Sequence, residues 1–335
     1  MNKDYRLPEN RHEYFTALYA TSLLHGILPG LVYLYMPSLS MSEQWTPEQD
    51  LWFAAINGHT QNPITSLRIF RQLPDPLAGD AEWNKFNTWF NDNWATLQFD
   101  TDRVKNKRNT VKGLWDYAQL AREHGSGVAM YAGKTYDECW SVASSIHSFG
   151  RLSTFSYLEY VHLLGHGPDC TDLMFGDKNG SKSHRNGMLF LQGQDHMVWD
   201  KRQPNSFDGN YDFKKMVPWL DAKAHEFLEG FKDQYPNLDD AGNFTFESAL
   251  CQLKNGFFGR RFPGVYSWMA WERIKWYDER GLSECTKVFK DMRLESLPDW
   301  LLPEVNGEKR SIKQLSNIFV ETGVPYNAQY FLTDN

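Results

Sequence analysis

The stretch Thr46-Pro47-Glu48-Gln49-Asp50-Leu51-Trp52-Phe53-Ala54-Ala55-Ile56-Asn57-Gly58-His59-Thr60-Gln61-Asn62-Pro63-Ile64-Thr65-Ser66-Leu67-Arg68-Ile69-Phe70 decides the fold class. It contains two helix starts of one design: Thr46 before Pro47, and Asn62 before Pro63. A short polar side chain can accept from the first free backbone N–H groups, and proline at the first helical position gives up no hydrogen bond. Leu51, Trp52, Ala55 and Ile56 then share one helical face, and Ile64, Leu67, Phe70 and Leu73 recur at intervals of three. Between the two helices Asn57-Gly58 predicts a left-handed helix end. Helix, turn and helix follow from local rules alone, which points to a mainly α, multi-helical fold.

The rest of the chain agrees. Trp83, Phe86, Phe90 and Trp94 predict an aromatic helix, and 110–123 another. Thr135 caps a helix to about His147, Gly150 breaks the chain, and Leu152–Leu164 continue as a very apolar helix. Helices resume over Pro218 to Gln234, Phe246 to Asn255 and Val265 to Arg280. Residues 165–215 read instead as a long irregular Gly-rich insert, which in a compact domain usually serves function or linkage. The expected organisation is a helical catalytic domain over 1–296, with room for two packed lobes split near 125–135, then an irregular C-terminal arm over 297–335.

Composition narrows the function. A chain of 335 residues, 41% hydrophobic and 15% aromatic, is not disordered, and its 13 Trp serve either core packing or stacking platforms for bases or sugars. A net charge of −7 argues against a general DNA-coating protein, whose affinity rests on neutralising phosphates. Cysteines at 139, 170, 251 and 285 form no C-x-x-C pair, so a thiolate zinc site is not expected. No phosphate-binding glycine loop occurs. Tyr14 to Ser42 lacks Asp, Glu, Lys and Arg and could span a bilayer by length. Thr16, Thr21, Ser22 and His25, and the interruption at Gly26, Pro29 and Gly30, favour a buried helix pair broken near Pro29, with no membrane partner.

Four groups of residues can carry chemistry. In the first turn, capping accounts for Asn57, Gly58, Asn62 and Pro63 but not for Thr60 and Gln61; amides offer a donor beside an acceptor, which suits a base edge. Lys182, Ser183, His184, Arg185 and Asn186, among Gly176, Gly180 and Gly187, have the makings of an anion cradle or of a solvated surface loop. Arg103, Lys105, Lys107, Arg108 and Lys112 form a basic strip, and Lys254, Arg260 and Arg261 flank Phe257-Phe258, patterns that could follow DNA phosphates or simply face water. Glu159-x-x-His162-x-x-x-His166 has metal-ligand spacing, but no second Glu-x-x-His accompanies it, so no metal site is expected. Glu159 on an apolar helix is a candidate general base or a partner for Arg151.

Trp52 to Ser66 resembles the phage amino acid:DNA transferases, which are grouped with the α-glutamyl/putrescinyl-thymine pyrophosphorylases. Ser183-His184-Arg185-Asn186-Gly187-Met188 and Phe149-Gly150-Arg151-Leu152-Ser153 add to the likeness, which spans most of residues 10–280. The resemblance implies a helical fold akin to DNA glycosylases, hence base flipping. It also implies a reaction in which an amine, from an amino acid or a polyamine, displaces pyrophosphate from 5-pyrophosphoryloxymethyluracil in phage DNA within the host cytoplasm. On that basis Asn57, Thr60, Gln61 and Asn62 would hold the base. Lys182, Ser183, His184, Arg185 and Asn186 would hold pyrophosphate. Glu159, Asp172 or His184 would move the proton, and Arg151 or Arg68 would bind the amino-acid carboxylate. Arg103, Lys105, Lys107, Arg108, Lys112, Arg260 and Arg261 would bind DNA. The co-substrate is an amino acid or amine; the sequence marks out no cofactor, and Mg²⁺ could assist the pyrophosphate. A glycosylase-like enzyme on a flipped modified base, or a non-catalytic module for modified DNA, are the alternatives.

Overall fold

A computed structural model describes residues 3–100, 107–203 and 206–332, and these contain no strand. In chain order the helices are α1 (Pro8–Leu24), α2 (Val32–Ser42), α3 (Pro47–Thr60), α4 (Pro63–Gln72), α5 (Asp80–Asn93), α6 (Lys107–His124), α7 (Tyr136–Ser145), α8 (Arg151–Leu163), α9 (Lys182–Leu191), α10 (Phe213–Gln234), α11 (Asn243–Phe257), α12 (Val265–Asp278), α13 (Lys287–Ser296), α14 (Pro303–Asn306) and α15 (Ile312–Thr322). They fall into two compact units. Unit 1 comprises Met1–Leu31, Cys170–Trp271 and Ser296–Asn335; unit 2 comprises Val32–Asp169 and Glu272–Glu295.

Unit 2 is built around α3, which packs on α4, α6 and α8. Thr46 and Gln49 close a capping box at its start, and Pro47 takes the first helical position, as the sequence predicts. The helix does not end at Asn57-Gly58. It runs on to Thr60, and the left-handed residue is Gln61, with φ 50°. The reason lies in packing. A Cβ on Gly58 would come within 2.7 Å of Phe149 Cζ and 3.2 Å of Tyr157 Cβ, so this glycine serves close approach rather than a turn. Every residue from Leu51 to Thr60 is buried. Burying each of Trp52, Phe53 and Ile56 contributes roughly 1.5–3 kcal/mol.

In unit 1, α9 lies against α11, and α1 packs on both. Gly187 sets that contact, since a Cβ there would fall 2.1 Å from the Leu250 carbonyl oxygen. Phe15, Tyr19, Phe227, Phe231 and Phe246 interlock beside it, with ring centroids 4.5–6.4 Å apart. The insert is more regular than its glycines suggest, because residues 182–191 form α9. The tail is also more regular: Ser311 and Gln314 close a capping box for α15, and Gly323, at φ 76°, ends it.

Pro8–Ser42 is long and apolar enough in sum to cross a membrane. The stretch is broken, however. α1 has 17 residues and α2 has 11, separated by a kink where Gly30 takes φ 69°. Each is shorter than the roughly 20 residues a spanning helix needs.

Candidate functional site

The junction of α3 and α4 in unit 2 is a closed hydrogen-bond relay. The backbone N–H of Asn62 donates to Thr60 Oγ1 (3.1 Å), the Thr60 and Ser66 hydroxyls share a bond of 2.6 Å, and Ser66 Oγ donates to Asn57 Oδ1 (2.8 Å). Asn62 Oδ1 accepts from the N–H groups of Ile64 and Thr65 (both 3.1 Å), the cap that the sequence predicts for α4. Both asparagines are fully buried, and in both the oxygen is engaged while Nδ2 has no partner within hydrogen-bonding geometry. A buried donor left unmatched costs about 1–3 kcal/mol. Gln61, in the left-handed link, reaches Ser156 Oγ with Nε2 (3.4 Å).

Ser156 belongs to α8, which carries Glu159 and Tyr160 a turn further on. Glu159 is buried and accepts from the Tyr33 hydroxyl (3.2 Å). Burial pushes the Tyr160 hydroxyl well above its ordinary pKa, Glu159 adds to this, and the Ser156 and Asn57 side chains oppose it. Unit 2 therefore gathers Asn57, Gln61, Ser156, Glu159 and Tyr160 into one polar island between apolar helices. Asp100 borders it: burial raises its pKa, against the opposing pull of Arg273 and the Asn62 amide. Arg151 opens α8, where Gly150 gives no side-chain cap, and its guanidinium lies 5.8 Å from the Phe155 ring. Arg68 is occupied otherwise: it donates to the Thr96 carbonyl (2.6 Å) and sits over Trp89 and Tyr277.

The Glu159, His162 and His166 spacing does not gather a metal set. α8 ends at Leu163, Gly165 turns left-handed, and the residues take separate partners: Tyr33 for Glu159, the Gly167 carbonyl for His162, and Asp50 (3.0 Å) for His166.

In unit 1 the run from Lys182 to Gly187 is helical and largely inside, not an open loop. Arg185 donates to the carbonyls of Phe175 (3.1 Å) and Asp177 (2.5 Å) and lies over Tyr211 and Phe213. Asn186 pairs through both amide atoms with the backbone of Trp199. His184 meets the Leu173 carbonyl (2.8 Å) and Glu247 (2.8 Å). In this structure the polar atoms of Arg185 and Asn186 hold the backbone of the Gly-rich insert, and His184 joins that backbone to Glu247. Lys182 and Ser183 stay half-buried, with Lys182 Nζ 4.0 Å over the Trp199 ring. Asp172 is exposed and accepts from Met174 N–H, and it lies in unit 1 whereas Glu159 lies in unit 2.

Of the basic strips, Arg103, Lys105 and the side chain of Lys107 lie outside the described residues. Arg108 and Lys112 are exposed on α6, with Lys112 paired to Asp116 (2.7 Å). In unit 1, Lys254 (2.9 Å), Arg260 (2.9 Å) and Arg202 (3.3 Å) converge on buried Asp200. Burial alone would raise the Asp200 carboxyl, but the Arg202 N–H and these cations hold it well below the usual carboxylate range. Arg261 lies against Tyr266.

Sequence reading passes over Ser66, Ser156 and Tyr160. A signal exists for each: Ser66 stands four residues after Asn62, and Ser156, Glu159 and Tyr160 are spaced to share one face of α8. It passes over Asp200 and Glu247 as well, because their partners are distant in sequence.

Residues 35–262 match the family described as amino acid:DNA transferase. The chain is 25% identical over 343 residues to a serinyltransferase of Salmonella phage ViI, covering 96% of this chain and 83% of that relative. No solved structure matches the chain.

Proposed function

The chain belongs to the amino acid:DNA transferase family, and from that membership we propose one reaction: displacement of pyrophosphate from 5-pyrophosphoryloxymethyluracil in DNA by the amine of an amino acid. The amine nitrogen attacks the methylene carbon, the bond from that carbon to oxygen breaks, and pyrophosphate leaves with the electron pair. Nitrogen is left with a surplus proton, which a carboxylate accepts. Serine is the first donor to test, because the relative in Salmonella phage ViI is a serinyltransferase. A polyamine is the rival donor, and the host cytoplasm is where such an enzyme would meet its DNA.

One observation carries the reading. Asn57 and Asn62 each have the amide oxygen fixed by a hydrogen bond, while Nδ2 makes no hydrogen bond of good geometry and engages only the neighbouring Tyr160 (from Asn57) and Asp100 (from Asn62) electrostatically. Uracil presents two carbonyl oxygens on either side of an N3–H. Two amide donors answer the carbonyls, and the Gln61 Oε1 answers N3–H. Thr60 accepts from the Asn62 N–H and is tied to the Asn57 amide through the Ser66 hydroxyl. Asn57 and Asn62 are interior and Gln61 is half-buried, so in this reading the base leaves the DNA stack to reach them. Glu159 is the proton acceptor in this reading, and Arg151, at the start of the same helix, takes the amino-acid carboxylate.

Unit 1 has phosphate chemistry of its own. Three cations against the single carboxylate of Asp200 leave an excess of two positive charges beside Phe258, and Arg261, next in sequence, lies over Tyr266. Arg260 and Arg261 bind DNA phosphate in this account, and Lys182 with Ser183 supplies the remaining contact to phosphate oxygen.

The experiment is pyrophosphate release from DNA carrying the pyrophosphorylated base, with serine, a mixed amino-acid pool or putrescine supplied in turn. Release that depends on an amino acid, and that falls at least tenfold in Asn57→Ala and Gln61→Ala, supports the reading. Release without any amine, or full activity in both variants, would overturn it.

A further inference from the structure

We propose that His184, Glu247 and Cys251 form a site for a zinc-class transition-metal ion in unit 1. Their ligand atoms, one each of nitrogen, oxygen and sulfur, all lie within 4.8 Å of one another. Glu247 and Cys251 stand one turn apart on α11, and His184 faces them from α9. Gly187, one turn beyond His184, lets α9 approach the Leu250 carbonyl closely enough for the imidazole to reach Glu247.

The imidazole's own bonding makes the case. The Leu173 carbonyl oxygen can only accept, so His184 Nε2 carries the hydrogen across that 2.8 Å contact. In the neutral ring Nδ1 is then a bare lone pair, and it points at a carboxylate oxygen 2.8 Å away. Two electron-rich atoms at that distance need a cation between them. A proton would serve for these two atoms alone; the Cys251 sulfur beside them makes a third donor of the cluster. A metal ion uses all three donors. A hydrogen bond from the far ring nitrogen to a backbone carbonyl is also how metal-binding histidines are usually held. His184 and Glu247 are nearly inaccessible to water.

The donor set suits zinc or cobalt over magnesium or calcium, which prefer oxygen alone. Three protein ligands leave one tetrahedral position open. Closing around zinc asks the three atoms to settle at about 3.3–3.8 Å from one another, within reach of side-chain rotation. Tyr266, whose hydroxyl burial pushes up to about 12, and Arg261 border the cluster. The site is independent of the base-binding reading of unit 2.

The test uses the full chain, stripped with a chelator and titrated with Co²⁺ alone, then with Zn²⁺ alone. One equivalent of Co²⁺ should bind and give a thiolate-to-cobalt charge-transfer band that Zn²⁺ bleaches. Cys251→Ser should abolish the band while leaving the fold intact, and Glu247→Gln should weaken Co²⁺ binding at least tenfold. A stripped wild-type chain that takes up no stoichiometric metal, or a band that survives Cys251→Ser, would overturn the proposal. In that case a proton alone bridges His184 and Glu247.

Discussion

The Ser66 hydroxyl donates to Asn57 Oδ1 across 2.8 Å, and this bond decides which way the Asn57 amide faces. Ser66 is in turn bonded to Thr60, so one hydroxyl pair connects the last turn of α3 to the first turn of α4. Ser66→Ala should therefore do two things. It should lower stability by about 1–3 kcal/mol, because a buried acceptor loses its donor. It should also weaken use of the modified base more than it weakens binding of unmodified DNA, since the amide is free to turn. Denaturant midpoints and a comparison of the two DNA substrates check this.

Gly58 offers a test of the helix end. In a left-handed cap, asparagine would be a tolerated substitute. In α3, any side chain at this position meets Phe149 at 2.7 Å. Gly58→Ala should destabilise by about 1–3 kcal/mol even though alanine favours helix by about 1 kcal/mol, and Gly58→Asn should be worse. Thermal unfolding of the two variants measures the order.

Glu159 should matter for the chemical step and not for holding DNA. Glu159→Gln keeps the shape and the contact to Tyr33 but cannot accept a proton. Transfer should fall about 10²–10⁴-fold with DNA affinity unchanged within a factor of a few. Single-turnover kinetics and a binding titration separate the two.

Asp200 makes stability depend on pH in one direction. Its folded carboxyl is held well below the unfolded value of 3.8, so its contribution is complete above that value. As pH falls below 3.8 toward the folded pKa, the unfolded state takes up a proton that the folded state does not, and the contribution is lost. Asp200→Asn should reduce stability at neutral pH, by leaving Lys254 buried without its partner, and should flatten the acid limb of the stability curve. Urea unfolding across pH 2.5–7, a range of about four and a half units chosen to bracket the ordinary carboxylate value, shows both effects.

Local chemistry made much of this molecule legible. Thr46-Pro47 and Asn62-Pro63 announce their helices because capping acts within three residues, and the N-caps stand where those rules put them. What sequence misjudges is decided across helices. Asn57-Gly58 looks like a helix end until Phe149 supplies the reason for a glycine inside α3. Arg185 and Asn186 look like anion donors until the carbonyls of Phe175, Asp177 and Trp199 claim them. The pairing of Gln61 with Ser156, and of His184 with Glu247, joins residues 95 and 63 positions apart, beyond any local pattern.

The most direct measurement is mass spectrometry of nucleosides from DNA that carries 5-pyrophosphoryloxymethyluracil, after incubation with the protein and an equimolar pool of amino acids and polyamines. The account predicts one new nucleoside whose mass is that of thymidine plus one amino acid less two hydrogens, formed as the pyrophosphorylated nucleoside disappears. Abasic sites in place of that product, a polyamine adduct, or unchanged DNA would contradict it.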